Sequence, residues 1–248
     1  MSMEDLLLFI VVGFAAQVID GAVGMAYGMT ATSVLLSFGV TPAVASSTVH
    51  AAEVFTTGAS GYAHWRLGNV NKDVFWKLML PGTVGGALGA YMLASVSAEF
   101  IQPIVALYLM VMGAVIVTKA FRPTPETVVQ PRHTRKIGFA GALLDAIGGG
   151  GWGPLVTSSL IGWGMQPRYA IGTSNAAEFF DTTVISVTFL GTIGLELWPM
   201  IVGLIIGGVI AAPFGAILAR QFPNRALMIL VGVIIAILSL RNLVHYLG

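Results

Sequence analysis

Five carboxylates stand inside otherwise apolar sequence: Asp20, Glu53, Asp145, Glu178 and Asp181. An ionisable side chain within lipid is costly, so each is a candidate for function. Such groups can hold a proton or a cation, or brace a neighbouring helix through hydrogen bonds. Glu53 and Glu178 each lie well inside an apolar helix, and Asp181 follows Glu178 by about one turn on the same face. Asp20 and Asp145 flank glycine-rich breaks, where they could equally cap half-helices.

A polar cluster precedes each glutamate. One is Ser46-Ser47-Thr48-Val49-His50 and the other is Gly172-Thr173-Ser174-Asn175. Hydroxyls and amides near a helix start can hold an oxyanion, because free N–H groups and the helix dipole point at it. On that reading Ser47, Thr48, His50, Thr173, Ser174 and Asn175 bind substrate. The plainer alternative is that Ser and Thr bond their own backbone or a neighbouring helix. His50 is the one histidine inside an apolar stretch, and its counterpart is Asn175. Their common role is hydrogen bonding, which makes a satisfied buried histidine the first reading and a proton relay the second.

The elements that must position these residues come in duplicate. Gly13-Phe14-Ala15 returns as Gly138-Phe139-Ala140, and at the same offset Asp20 meets Asp145 and Tyr27-Gly28 meets Trp152-Gly153. Ala51-Ala52-Glu53 likewise meets Ala176-Ala177-Glu178. The period is about half the chain, too long for a solenoid, and reads as a duplicated and fused half. Residues 1–121 form the first repeat, 122–136 a polar linker and 137–248 the second repeat.

Composition places both halves in a membrane. The chain is 56% hydrophobic and only 9% charged, with a mean hydropathy of +0.87, far from a soluble domain of this length. Stretches long enough to span lie at 43–63, 74–94, 101–120, 170–190, 197–219 and 226–244. Met1-Ser2-Met3-Glu4-Asp5 is acidic where a cleaved signal peptide is basic. The absence of cysteine excludes disulfides, thiolate metal sites and thiol nucleophiles. A net charge of +1 gives no sign of a nucleic-acid partner. The residues single out no oligomeric state.

Each half opens with a segment unlike an ordinary span. Residues 6–38 are broken by Asp20-Gly21-Ala22-Val23-Gly24, and 137–163 by Gly148-Gly149-Gly150-Gly151. A glycine costs a helix about 1 kcal/mol against alanine, and the backbone freed there must be buried or line a cavity. Each opening is therefore a kinked span or a re-entrant hairpin. Tyr27, Gly28, Gly150, Gly151 and Trp152 then lie at the broken tips, where they are expected to bind substrate, the backbone N–H groups aimed at it and the two rings shaping its path. If the openings re-enter, the halves are inverted and nearly every Lys and Arg falls on the cytoplasmic side, Arg241 excepted. If they cross, Arg168, Arg220 and Arg225 move outside. The positive-inside rule favours inversion. The expected fold is all-α and polytopic, with two inverted halves, each a broken opening plus three spanning helices.

Several motifs carry little. Gly148 to Gly153 satisfies a dinucleotide-binding spacing, but no soluble strand–turn–helix unit surrounds it. His50 and Glu53 sit one turn apart, yet the other half offers Asn175 and Glu178, a poor transition-metal set. No metal and no cofactor is expected. Gly85-x-x-x-Gly89 and Gly203-x-x-x-Gly207 are helix-packing faces.

Tandem halves with glycine-broken openings and Gly-x-x-Pro turns (Gly39 to Pro42, Gly164 to Pro167) resemble the sulfite exporter TauE/SafE family. Gly148 to Gly153 followed by Pro154, and Ala170-Ile171-Gly172-Thr173-Ser174, carry the match most specifically. The first half departs from it, with Gly24-Met25-Ala26-Tyr27-Gly28 poorer in glycine and Ser46-Ser47-Thr48 in place of Gly-Thr-Ser. The resemblance implies a bacterial inner-membrane transporter, often an exporter, of sulfite, sulfonates or other small anions. Carboxylates near an anion pose a problem: unit charges at about 4 Å repel by about 4 kcal/mol at an intermediate dielectric. The glutamates must be protonated when the anion is bound, or stay away from it. The rival is a cation pathway for sodium or protons through ionised glutamates. An enzyme is disfavoured, with no cysteine, no nucleophile set in sensible spacing and no soluble domain.

Overall fold

The computed structural model describes residues 3–121, 133–195, 197–221 and 224–247. Most of the expected linker lies outside the described residues, which resume with α6. The first half comprises α1 (Met3–Val23), α2 (Tyr27–Ser37), α3 (Pro42–Arg66), α4 (Lys72–Ser95) and α5 (Ala98–Lys119). The second comprises α6 (Thr134–Gly148), a π-helical turn (Gly153–Thr157) running into α7 (Ser158–Gly162), then α8 (Pro167–Thr192), α9 (Trp198–Gln221) and α10 (Asn224–Leu247). No strand occurs among the described residues. The molecule is a polytopic helical membrane protein.

Among the described residues, Lys72–Ser95, Ala98–Lys119 and Arg225–Tyr246 are both long and apolar enough to cross a bilayer. Helices α3 and α8 are longer still, at 25 and 26 residues. They are less apolar because a row of hydroxyls, amides and acids runs along their buried faces. Proline starts both, at the position where its missing N–H costs nothing.

The openings are hairpins. A Cβ added to Gly141 on α6 would stand 2.5 Å from Val156 Cγ2 in the π-helical turn. A straight span would separate those positions by roughly 20 Å. The chain therefore reverses at Gly149–Gly151. At the first break the Tyr27 N–H reaches back to Asp20 Oδ1 at 3.4 Å, and at the second the Trp152 N–H reaches Asp145 Oδ1 at 2.9 Å.

Each opening helix packs against the other half. Helix α1 lies along α9, where Gly203 and Gly207 admit Phe9, Ile10 and Phe14. Helix α6 lies along α4, where Gly85 and Gly89 admit Phe139 and Leu143. Corresponding helices also pair. Gly58, Gly61 and His64 of α3 meet Phe179, Ala176 and Gly172 of α8 in reverse order, so the two are antiparallel. Gly113 of α5 and Gly232 of α10 touch backbone to backbone. Small residues allow this closeness, as membrane helices require when lipid supplies no hydrophobic drive between them.

Basic side chains gather at one end. The Asn71 N–H donates to Thr173 Oγ1 at 2.9 Å, which sets the loop after α3 beside the start of α8. Arg66, Lys72 and Arg168 thus share an end. Arg225 joins them, with its guanidinium 4.2 Å above the Phe121 ring at the end of α5.

Candidate functional site

The two breaks meet. A Cβ on Gly28 would fall 2.9 Å from Gly150 Cα, and one on Gly153 would fall 2.6 Å from Met25 Cβ. These are the same contact seen from each half, since Met25 aligns with Gly150 and Gly28 with Gly153. Gly150 has φ 149, a conformation only glycine adopts without strain. The Thr32 hydroxyl donates to the Gly149 carbonyl, and Tyr108 donates to the Gly150 carbonyl at 3.1 Å. Polar groups freed by the second break are thus satisfied from the first half, as burial demands.

Between the tips lies a tight polar cleft with room for about one water. It is lined by Asp20, Tyr27, Gly28, Glu53, Asp145, Gly150, Gly151, Trp152 and Glu178 among others. Two backbone donors at the starts of the inner half-helices point at carboxylates: the Tyr27 N–H faces Asp20 and the Trp152 N–H bonds Asp145. Glu53 Oε1 stands beside Gly28, 3.0 Å from the place a Cβ there would take. The places where a half-helix would hold an anion are occupied by the chain's own acids. Glu53 Oε2 is buried without a partner. Leaving a carboxylate oxygen so in a dry interior costs several kcal/mol unless a proton or cation joins it.

His50 is fully buried beside this cleft. Its Nδ1 lies 2.8 Å from the Ser46 carbonyl and 3.2 Å from Ser46 Oγ, and its Nε2 lies 3.1 Å from Asp145 Oδ2. Ser46 Oγ donates to the Ala146 carbonyl at 2.6 Å. His50, Glu53 and Asp145 could each offer one ligand atom within 4.8 Å of the others. The direct His50–Asp145 bond makes those two partners of each other rather than open ligands.

The remaining sequence-predicted residues sit elsewhere. Ser47 and Thr48 both donate to the Val44 carbonyl of their own helix, at 3.0 and 2.7 Å. Thr173 accepts from Asn71, and Asn175 donates to Ser60 Oγ at 2.7 Å. Ser174 accepts from Trp152 Nε1 at 2.8 Å and from Thr157 at 2.6 Å, so it fixes the second tip without entering the cleft. Asp181 faces Gly82 of α4, away from the cleft, with both carboxylate oxygens buried and unpartnered.

Sequence reasoning missed three contributors. Tyr108 carries no local signal, since it lies on an ordinary apolar span. Ser46 belonged to the polar cluster but was not singled out as the residue that orients His50. Lys119 donates to the Pro154 carbonyl on the cleft lining. It reaches there from the end of α5, a snorkelling lysine turned inward.

Comparison with known proteins agrees on one class. A family model described as Sulfite exporter TauE/SafE matches residues 9–242. The "Probable membrane transporter protein YtnM" of Bacillus subtilis (strain 168) is 38% identical over 252 residues, which cover 98% of this chain and 84% of that relative. No solved structure matches.

Proposed function

The chain belongs to the sulfite exporter TauE/SafE family, and from that premise we propose that it exports a small anion such as sulfite or an organosulfonate by alternating access between inverted halves. The membrane is the bacterial inner membrane, with the basic end in the cytoplasm. Residues 1–121 and 137–248 act as the two repeats, joined by the cytoplasmic linker 122–136. Antiparallel pairing of α3 with α8 supports the inversion, as do α1 and α6 entering the bundle from opposite ends.

The observation that carries this reading is the meeting of the two tips with a carboxylate on the first N–H of each inner half-helix, and Glu53 Oε1 set beside Gly28. An incoming anion meets the Glu53 charge there. Protonating Glu53 removes that charge, so proton and anion enter together. Glu178, on the opposite wall, acts alike from the other half. This resolves the repulsion of about 4 kcal/mol that an anion at 4 Å would meet. Tyr27 and Trp152 shape the path, and Lys119 draws anions toward it from the cytoplasmic end. A monoanion alone gains about 2.3 kcal/mol per 100 mV of interior-negative potential on export; one proton carried with it cancels that charge, so the coupled step moves with the pH gradient.

Flux of labelled sulfite, a sulfonate and sodium in proteoliposomes at imposed potentials and pH gradients tests the proposal. Anion flux that follows the pH gradient is expected. A second reading, cation transport, is favoured by the four carboxylates on the cleft wall; saturable sodium flux without anion flux would establish it in place of the first.

A further inference from the structure

Resting on the transport reading, we propose that His50 and Asp145 form a one-proton latch that ties α3 of the first half to α6 of the second, closed when the proton is present and open when it leaves. The proton count follows from hydrogen-bond chemistry. A carbonyl only accepts, so Nδ1, 2.8 Å from the Ser46 carbonyl, carries a hydrogen. Nε2 then faces Asp145 Oδ2 at 3.1 Å, and that contact attracts only if one proton lies between them. Imidazolium with carboxylate, and imidazole with carboxylic acid, contain the same number. Without it, two lone pairs oppose each other in a site where His50 is 0% and Asp145 2% exposed. Low dielectric magnifies that repulsion.

The latch spans the halves. Asp145 is held from behind by the Trp152 N–H at the second tip, and the Ser46–Ala146 bond closes the same seam one turn away. Opening the pair therefore frees the second tip from α3. Among the described residues the mirror position shows no such pair: Asn175 stands for His50 and bonds Ser60 instead, while Asp20 accepts from the Tyr27 N–H. One latch means one proton per cycle. The titratable groups near enough to feel the pair's charge are Glu53 on α3, Tyr108 on α5, and Glu178 and Asp181 on α8; Asp20 on α1 and Tyr27 on α2 line the cleft with Asp145, and Lys119 on α5 is engaged by the Pro154 carbonyl. Glu53, one turn along from His50 and open to the cleft, passes the proton between cleft water and the pair.

Two substitutions separate the latch from a brace. In Asp145→Asn the amide oxygen keeps the Trp152 N–H and the amide NH2 donates to Nε2, so the bond persists with no proton to lose. Flux should fall by about ten- to a hundredfold at every pH, the scale of one strong hydrogen bond that can no longer open. His50→Asn copies the other half; flux should continue down the potential but lose its pH dependence and its proton uptake of one per anion, read with a pH dye in proteoliposomes. Wild-type protein in lipid, labelled with 15N histidine, needs no variant: His50 Nδ1 should stay protonated while Nε2 gives up its proton in one step as the pH rises. A wild-type pH profile in His50→Asn, a Nε2 that never titrates, or one equivalent of zinc bound through His50 would overturn the latch. Absence of anion flux in wild type beside an intact Nε2 titration would instead sink the transport reading alone.

Discussion

Glu53 concentrates the residue-scale argument, because its two oxygens have different fates. Oε1 stands against Gly28, whereas Oε2 is buried with no partner among the described residues. Glu53→Gln keeps the acceptor and converts the unpartnered oxygen into a neutral NH2. Thermal unfolding in detergent should shift little or upward, by about 1 kcal/mol. Glu53→Ala empties the buried space beside Gly28 and should lose about 2–3 kcal/mol, the cost of a cavity. Equal losses in both variants would show that the charge itself, rather than the packing, holds this position. Candidate acids were legible in the sequence because charge within apolar runs stands out. The His50–Asp145 pair was not. Helical spacing relates His50 to Glu53, but nothing local relates it to a residue 95 positions away on another half. The hydroxyls fared differently again: Ser47 and Thr48 spend themselves on the Val44 carbonyl, a competition that spacing alone does not decide.

At the scale of elements, the glycine breaks were readable as breaks, since four consecutive glycines cannot sustain a helix. That the breaks become hairpins whose tips touch depended on packing no single segment encodes: α6 on α4, α1 on α9, and glycine against glycine at the centre. Gly150→Ala puts a methyl group against the backbone nitrogen of Met29 and forces φ 149 on an L-residue. It should destabilise by about 3 kcal/mol or more and abolish flux, because strain and overpacking coincide where the tips must meet. Gly39→Ala is the matched comparison: φ is +81 there, but nothing lies within 4 Å of an added Cβ. Its cost should be near 1 kcal/mol, with flux retained. If both substitutions leave flux and melting alike, close contact of the tips has no part in transport.

For the whole molecule, orientation is the property most exposed to test. Alternating apolar and basic stretches already favoured inverted halves, but by a margin resting mainly on Arg168, Arg220 and Arg225. Folding adds an independent constraint: Asn71 bonded to Thr173, and Asn69 and His64 packed on Gly172, tie the end of α3 to the start of α8. Arg66 and Arg168 must then share a side of the membrane, whereas two crossing openings would separate them. The chain lacks cysteine, so single cysteines can be introduced without removing any. Arg66→Cys and Arg168→Cys should both react with an impermeant maleimide only from the cytoplasm, and Glu99→Cys, at the start of α5, only from outside. Labelling of position 168 from outside, with 66 protected, would break the inverted arrangement. It would also remove the common cleft in which proton and anion enter together, since the two tips could no longer enter from opposite faces.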